Sequence, residues 1–215
     1  MLNSKITNDG GFKAKLVPGE IEKLSNTAKT QDFSNLTLIT GGARSGKSLL
    51  AEQLGRESNL PVVYLATMEE MHDDAETVMR IGLHRARRPQ DWTTIEAPFD
   101  LSSAILDLSP VRQTCIIDCL SLLVSNILLK TNGEGARLPE ARSMVSEEIA
   151  KVLSAIEKRE EINFLAVTNE VGSGIVPENA LARSYRDLLG ETNQTVAAAS
   201  HAVFLMCSGL KLKLK

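Results

Sequence analysis

An α/β fold with a mostly parallel sheet and an antiparallel C-terminal hairpin is what the sequence predicts, on three observations. A glycine-rich loop of Gly41, Gly42, Ala43, Arg44, Ser45, Gly46, Lys47 and Ser48 stands between an apolar run and a helical pattern. Short apolar runs then alternate with amphipathic stretches, as strands do when crossover helices join them. The last apolar run meets Ser208-Gly209 and then an alternating Leu/Lys segment, which reads as a hairpin ending on an edge strand.

Taken in order, residues 1–34 are polar and lack a sustained period, with a turn signal at Asn8-Asp9-Gly10-Gly11 and room for one short helix at 19–24. They read as a poorly ordered N-terminal extension, leaving 35–215 as the domain proper. Leu36-Thr37-Leu38-Ile39-Thr40 is the first strand, and residues 46–56 form the helix after the loop. Residues 61–66 are a second buried strand. Asp73-Asp74-Ala75-Glu76 resembles a capping box opening a helix toward Arg87, which ends where Arg88 precedes Pro89. A short β-like run at 92–96 and a short helix at 101–106 follow. Residues 114–119 are a buried strand, 120–129 a helix, 131–138 a loop with two glycines, and 139–160 a long amphipathic helix. Residues 163–168 are a strand and 183–199 a helix, before the hairpin strands at 202–207 and 210–214.

At 215 residues, 43% hydrophobic and 24% charged, the chain is long enough for one domain with a full core. A net charge of -3 gives no footprint for nucleic acid. Cys115, Cys119 and Cys207 lack metal-ligand spacing, and the first two flank an apolar run as small buried groups rather than a disulfide pair. A reducing, cytoplasmic setting is expected. No run approaches the ~18 apolar residues of a membrane span, and no basic-then-apolar leader opens the chain.

The loop at 41–48 fits G-x-x-x-x-G-K-[ST] in its strand–loop–helix context, so a P-loop fold binding a nucleoside triphosphate is expected. Its glycines let backbone N–H groups turn toward phosphate oxygens at a helix N-terminus. Lys47 is placed to neutralise the β- and γ-phosphates, and the Ser48 hydroxyl to ligate Mg²⁺. Asp118 ends an apolar strand, where such proteins hold Mg²⁺ through water; it could equally cap the helix that follows.

Arg80, His84, Arg85, Arg87 and Arg88 crowd into nine residues of an acidic chain. They read either as a solvated helix end matched to its dipole or as a second phosphate-binding patch. In the latter case a histidine sits among groups that stabilise a five-coordinate phosphorus. Residues 168–177 form a glycine-bearing loop at the ligand edge of the sheet, with Glu170 a candidate substrate contact or a plain loop residue. His72 lies in a polar loop without an evident charge partner, and His201 reads as structural.

Several separated motifs then resemble one family. They are 40–48; Tyr64-Leu65-Ala66-Thr67; Arg80-Ile81, His84-Arg85 and Arg87-Arg88-Pro89 with Trp92; 118–122 with Ser125-Asn126; 167–172 with Gly174-Ile175-Val176-Pro177-Glu178-Asn179; Arg183 and Tyr185-Arg186-Asp187; Asn193-Gln194; and Ser208-Gly209. From Leu36 onward the chain resembles the bifunctional adenosylcobinamide kinase / adenosylcobinamide-phosphate guanylyltransferases of cobalamin biosynthesis. The resemblance implies that ATP or GTP phosphorylates the aminopropanol hydroxyl of adenosylcobinamide, and that His84 then takes GMP from GTP and passes it to adenosylcobinamide phosphate. It implies Lys47 as the other catalytic residue and nucleotide contacts at Ala66, Thr67, Met68, Arg85, Ala86, Arg87, Arg88, Glu96 and Asp118. It also implies a homo-oligomer, a trimer. A histidine attacks phosphorus only when neutral, and like-charge repulsion from flanking arginines favours that form. Two other readings use the same loop. One is a phosphate-loop small-molecule kinase without guanylylation. The other is a nucleotide switch, against which the missing Asn-Lys-x-Asp string speaks.

Overall fold

In the computed structural model, residues 33–68, 88–133 and 138–215 are described. The expected helix at 73–87 and nearly all of the N-terminal extension lie outside these residues. The elements run β1 (Phe33–Gly41), α1 (Lys47–Glu57), β2 (Val62–Ala66), β3 (Thr93–Glu96), α2 (Leu101–Leu106), β4 (Gln113–Asp118) and α3 (Leu120–Gly133). They continue with α4 (Leu138–Glu157), β5 (Ile162–Val167), α5 (Ala180–Ala199), β6 (Ser200–Cys207) and β7 (Leu210–Lys213).

The strands form one sheet in the order β3-β2-β4-β5-β1-β6-β7. Every pairing is parallel except β6 with β7, which is antiparallel. Strand alternation sends Leu36, Leu38, Leu65, Cys115, Ile117 and Phe164 to one face, against α2, α3, α4 and α5. Ile39, Tyr64, Ile116, Leu165 and Val167 turn to the other face, where Leu50 and Ala51 of α1 cover them. A sheet wrapped on both faces explains why its inner strands read as unbroken apolar runs. Among the described residues no helix is long and apolar enough to cross a membrane.

Several boundaries move for local reasons. β1 begins at Phe33, and the Asn35 side chain donates to the carbonyls of Arg159 and Ile162 at 3.1 Å, fastening the strand to the turn before β5. α3 runs through Gly133 into the stretch expected as loop; Thr131 is buried, its hydroxyl donating to Ile127 O at 2.5 Å. α5 starts at Ala180 rather than 183 because Asn179 caps it, Oδ1 accepting from Ala182 N at 3.0 Å. Arg159 is buried at the far end of the sheet. Its guanidinium donates to the carbonyls of Leu106 at 2.7 Å, Leu108 at 2.5 Å and Ser109 at 2.9 Å, where α2 ends.

Candidate active site

The loop between β1 and α1 takes its shape from two glycines. Gly41 has φ +149°, and a β-carbon there would lie 2.3 Å from the Met206 carbonyl oxygen, so only a bare backbone passes β6 at this point. Gly46 has φ +100° and opens α1 with no side-chain cap, which leaves the first-turn N–H groups facing whatever anion the loop encloses. The β6–β7 turn clamps the loop from outside: Gly209 N–H donates to Ser45 O at 3.0 Å.

Lys47 is 7% exposed and folds back so that Nζ donates to Gly42 O at 2.6 Å. Burial holds its ammonium below the ordinary lysine range, while Cys119 and Asp118 pull the other way. A buried cation turned onto its own loop's carbonyl can exchange that carbonyl for phosphate oxygen at little cost in desolvation. Ser48, half-buried, stands one residue further on.

Strand register assembles the rest of this edge. Glu96 pairs with Ala66, Ala66 with Asp118, Asp118 with Val167, and Val167 with Ile39. The sequence-selected residues of β2, β3 and β4 therefore end in one row, beside the loop that leaves β1, at the carboxyl edge where α/β sheets bind ligands. Glu96 is exposed, and Ala66 and Met68 are half-buried. Thr67 is 0% exposed; its hydroxyl donates to Cys119 O at 2.7 Å and accepts from Cys119 N–H at 2.8 Å.

Asp118 is held from β2. The Tyr64 hydroxyl donates to Asp118 Oδ2, and burial first, then the carboxylate's charge and hydrogen bond, keep that phenol protonated well above the usual tyrosine range. Cys119, not Asp118, heads α3: its carbonyl accepts from Leu122 N–H at 3.2 Å. That decides the open question of Asp118 as a helix cap. Burial pushes the Cys119 thiol up to about 11, which keeps it a protonated, inert group. Cys115 and Cys119 are both buried and free, as expected.

From the basic run, Arg88 reaches the site. Its guanidinium lies 3.5 Å from the Tyr64 ring centroid, and Nη1 donates to Thr94 Oγ1 at 3.3 Å. His84, Arg85, Ala86, Arg87 and His72 lie outside the described residues. His201 is exposed on β6, one residue past the junction with α5. Glu170 turns inward on its own loop, Oε1 accepting from Gly172 N–H at 2.6 Å and Oε2 from the Ser173 hydroxyl at 2.9 Å.

Mg²⁺ fits this donor set in one particular way. Among the described residues there is no group of three or more His, Cys, Asp or Glu able to cage a metal. A hydroxyl (Ser48) and one tethered carboxylate (Asp118) suit a cation that keeps most of its water and leans on substrate phosphates. Two further features were invisible in the linear chain. The Tyr64–Asp118 bond joins diagonal neighbours on one sheet face, so it needed the β2–β4 register. The Gly209–Ser45 clamp needed the hairpin folded over the loop.

Comparison with known proteins follows the same outline. A family model described as cobinamide kinase / cobinamide phosphate guanyltransferase matches residues 37–214. The bifunctional adenosylcobalamin biosynthesis protein CobU of Escherichia coli strain K12 is 38% identical over 187 residues, covering 84% of this chain and 99% of that protein. The protein of the same name from Salmonella typhimurium is 40% identical over 186 residues, covering 84% and 99%. CobP of Pseudomonas aeruginosa is 38% identical over 178 residues, covering 83% and 96%. Among solved structures, an ATPase of the type III secretion system of pathogenic bacteria aligns with a TM-score of 0.51 at 11% identity. The match covers 83% of this chain and 56% of that one, a likeness of fold alone.

Proposed function

We propose roles for individual residues from one premise: the chain belongs to the cobinamide kinase / cobinamide phosphate guanyltransferase family. It is thus a kinase and nucleotidyltransferase of cobalamin biosynthesis. In the first reaction the aminopropanol hydroxyl oxygen of adenosylcobinamide attacks the γ-phosphorus of ATP or GTP. The hydroxyl proton passes to water, the bond to the β,γ-bridging oxygen breaks, and a nucleoside diphosphate leaves. Residues 41–48 wrap the phosphates with backbone N–H groups, and Lys47 leaves Gly42 O to neutralise the charge that develops on the leaving oxygen. Bound Mg²⁺ would supply Lewis-acid charge neutralisation, held by Ser48 and, through water, by Asp118.

In the second reaction a neutral nitrogen of His84 attacks the α-phosphorus of GTP and expels pyrophosphate. A phosphate oxygen of adenosylcobinamide phosphate then displaces the histidine, giving adenosylcobinamide-GDP. Arg85, Arg87 and Arg88 balance the phosphorane charge; Ala66, Met68, Ala86 and Glu96 contact the nucleotide. Glu96 offers an exposed carboxylate suited to the N–H donors of a guanine edge. Thr67 acts indirectly, by holding Cys119 and with it the end of β4.

The single observation behind this reading is the row Glu96–Ala66–Asp118 ending beside Lys47, with Arg88 stacked on the tyrosine that tethers Asp118. The family match over 37–214 supports residues 35–215 as the catalytic domain and 1–34 as an appendage. The exposed leucines 210 and 212 on edge strand β7, with Leu214 just past its end, support a homo-oligomer, which we read as a trimer. Free cysteines support a cytoplasmic location. The test is turnover of adenosylcobinamide with ATP, then GTP, followed by product mass. Mass gains of one phosphate and then one GMP are expected from the wild type, and neither from Lys47→Ala. Wild-type rates in Lys47→Ala would overturn its assignment.

A further inference from the structure

The loop between β5 and α5 carries a feature that nucleotide chemistry does not use. Ile175 is 97% exposed and its neighbour Val176 57% exposed. Two adjacent branched aliphatics in water are unusual on a loop as firmly fixed as this one.

Its near end is sewn to the nucleotide edge. Glu170 N–H donates to Gly41 O at 2.9 Å, and Thr168 N–H to Ile39 O at 3.0 Å. Asn193 on α5 donates to Asn169 O at 2.9 Å and accepts from the Thr168 hydroxyl at 2.7 Å. Val171 packs on the core. The far end is fixed by Arg183, whose Nη1 donates to Pro177 O at 2.9 Å and Glu178 O at 2.6 Å. With both ends held, Ile175 and Val176 are presented outward. Between Glu170 and Glu178 the loop has no charged side chain, whereas the facing loop and basic run carry Arg44, Lys47 and Arg88.

We propose that Ile175 and Val176 form the docking subsite for the corrinoid acceptor, an inference that rests on the kinase reading above. A corrin macrocycle has methyl-studded faces and uncharged amide arms, so it is recognised by apolar contact and backbone polarity rather than by ion pairs. Its reactive hydroxyl sits at the end of one short arm, so the ring must rest within an arm's reach of the transferred phosphoryl. The loop is apolar and uncharged at its tip, and its base at Glu170 is hydrogen-bonded to Gly41, the first residue of the phosphate loop. The cationic half of the edge then serves the triphosphate, and the aliphatic half the acceptor.

The test is equilibrium dialysis of adenosylcobinamide, read by corrin absorbance, with KM values for both substrates and sedimentation velocity, on the full chain. The double variant Ile175→Ser/Val176→Ser should fold normally, since both side chains are in water. Its Kd and KM for adenosylcobinamide should rise at least tenfold with the nucleotide KM held within twofold, and Ile175→Leu should bind as wild type does. An unchanged acceptor Kd overturns the subsite. So does an equal rise in nucleotide KM, or a change in oligomeric mass showing that a second copy of the chain covers the loop. A wild-type protein that neither binds nor phosphorylates adenosylcobinamide overturns the underlying function as well, so the two failures are distinguishable.

Discussion

Tyr64→Phe removes one hydroxyl and leaves the ring beneath Arg88 in place. Tyr64 is 1% exposed and its O–H donates to Asp118 Oδ2. Hydrogen bonds to charged acceptors contribute about 1.5–3 kcal/mol. Asp118 is half-exposed, so water replaces part of what is lost and the net cost falls to about 1–2 kcal/mol. For a domain of this size each kcal/mol moves Tm by about 2–4 °C, so a fall of roughly 2–8 °C is expected by circular dichroism at pH 7. The freed carboxylate no longer holds its place beside Lys47, so nucleotide KM should rise about five- to tenfold, a ΔΔG near 1–1.4 kcal/mol. Asp118→Asn should lower kcat further than Tyr64→Phe does. A Tm within 1 °C of wild type together with unchanged nucleotide KM would refute the tether.

Gly41→Ala places a methyl 2.3 Å from the Met206 carbonyl oxygen; backbone must move, so a loss of about 2 kcal/mol or more and at least tenfold weaker ATP binding by calorimetry are expected. Wild-type affinity would show that the loop has slack there. Arg159→Ala strands the carbonyls at the end of α2, at the edge of the sheet opposite the site. Stability should fall by about 3 kcal/mol in urea, with kcat per folded molecule unchanged. Burial raises the Tyr185 phenol to about 12. A group whose folded value is raised gives stability that is full below its unfolded value near 10 and is lost as pH climbs toward 12. Tyr185→Phe should therefore flatten the fall of Tm between pH 10 and pH 12; an unaltered slope would remove the phenol from the account.

The parts of the site legible in the chain are those coded locally. Glycine spacing and the Lys-Ser pair announce the phosphate loop because each residue acts on backbone only a few positions away. Asp118 was legible as a carboxylate ending an apolar run, though not its partner: Tyr64 lies 54 residues upstream, and only the β2–β4 register makes the two diagonal neighbours. Ser208-Gly209 stood out as a turn, yet its grip on Ser45 depends on folding the last hairpin over the first loop. The end of α3 departs from the expected loop because Gly133, one of that loop's two glycines, closes a helix that buried Thr131 continues. Asn179 was an N-cap hidden by the apolar period, which begins only after it.

Covalent labelling tests the central claim most directly, since it separates a guanylyltransferase from every other use of a phosphate loop. Protein incubated with α-labelled GTP should release pyrophosphate and retain label that is lost in acid and stable in base, as a phosphoramidate is. Adenosylcobinamide phosphate should then remove that label as adenosylcobinamide-GDP. His84→Ala should take up none while still phosphorylating adenosylcobinamide. Equal labelling of wild type and His84→Ala would contradict the account.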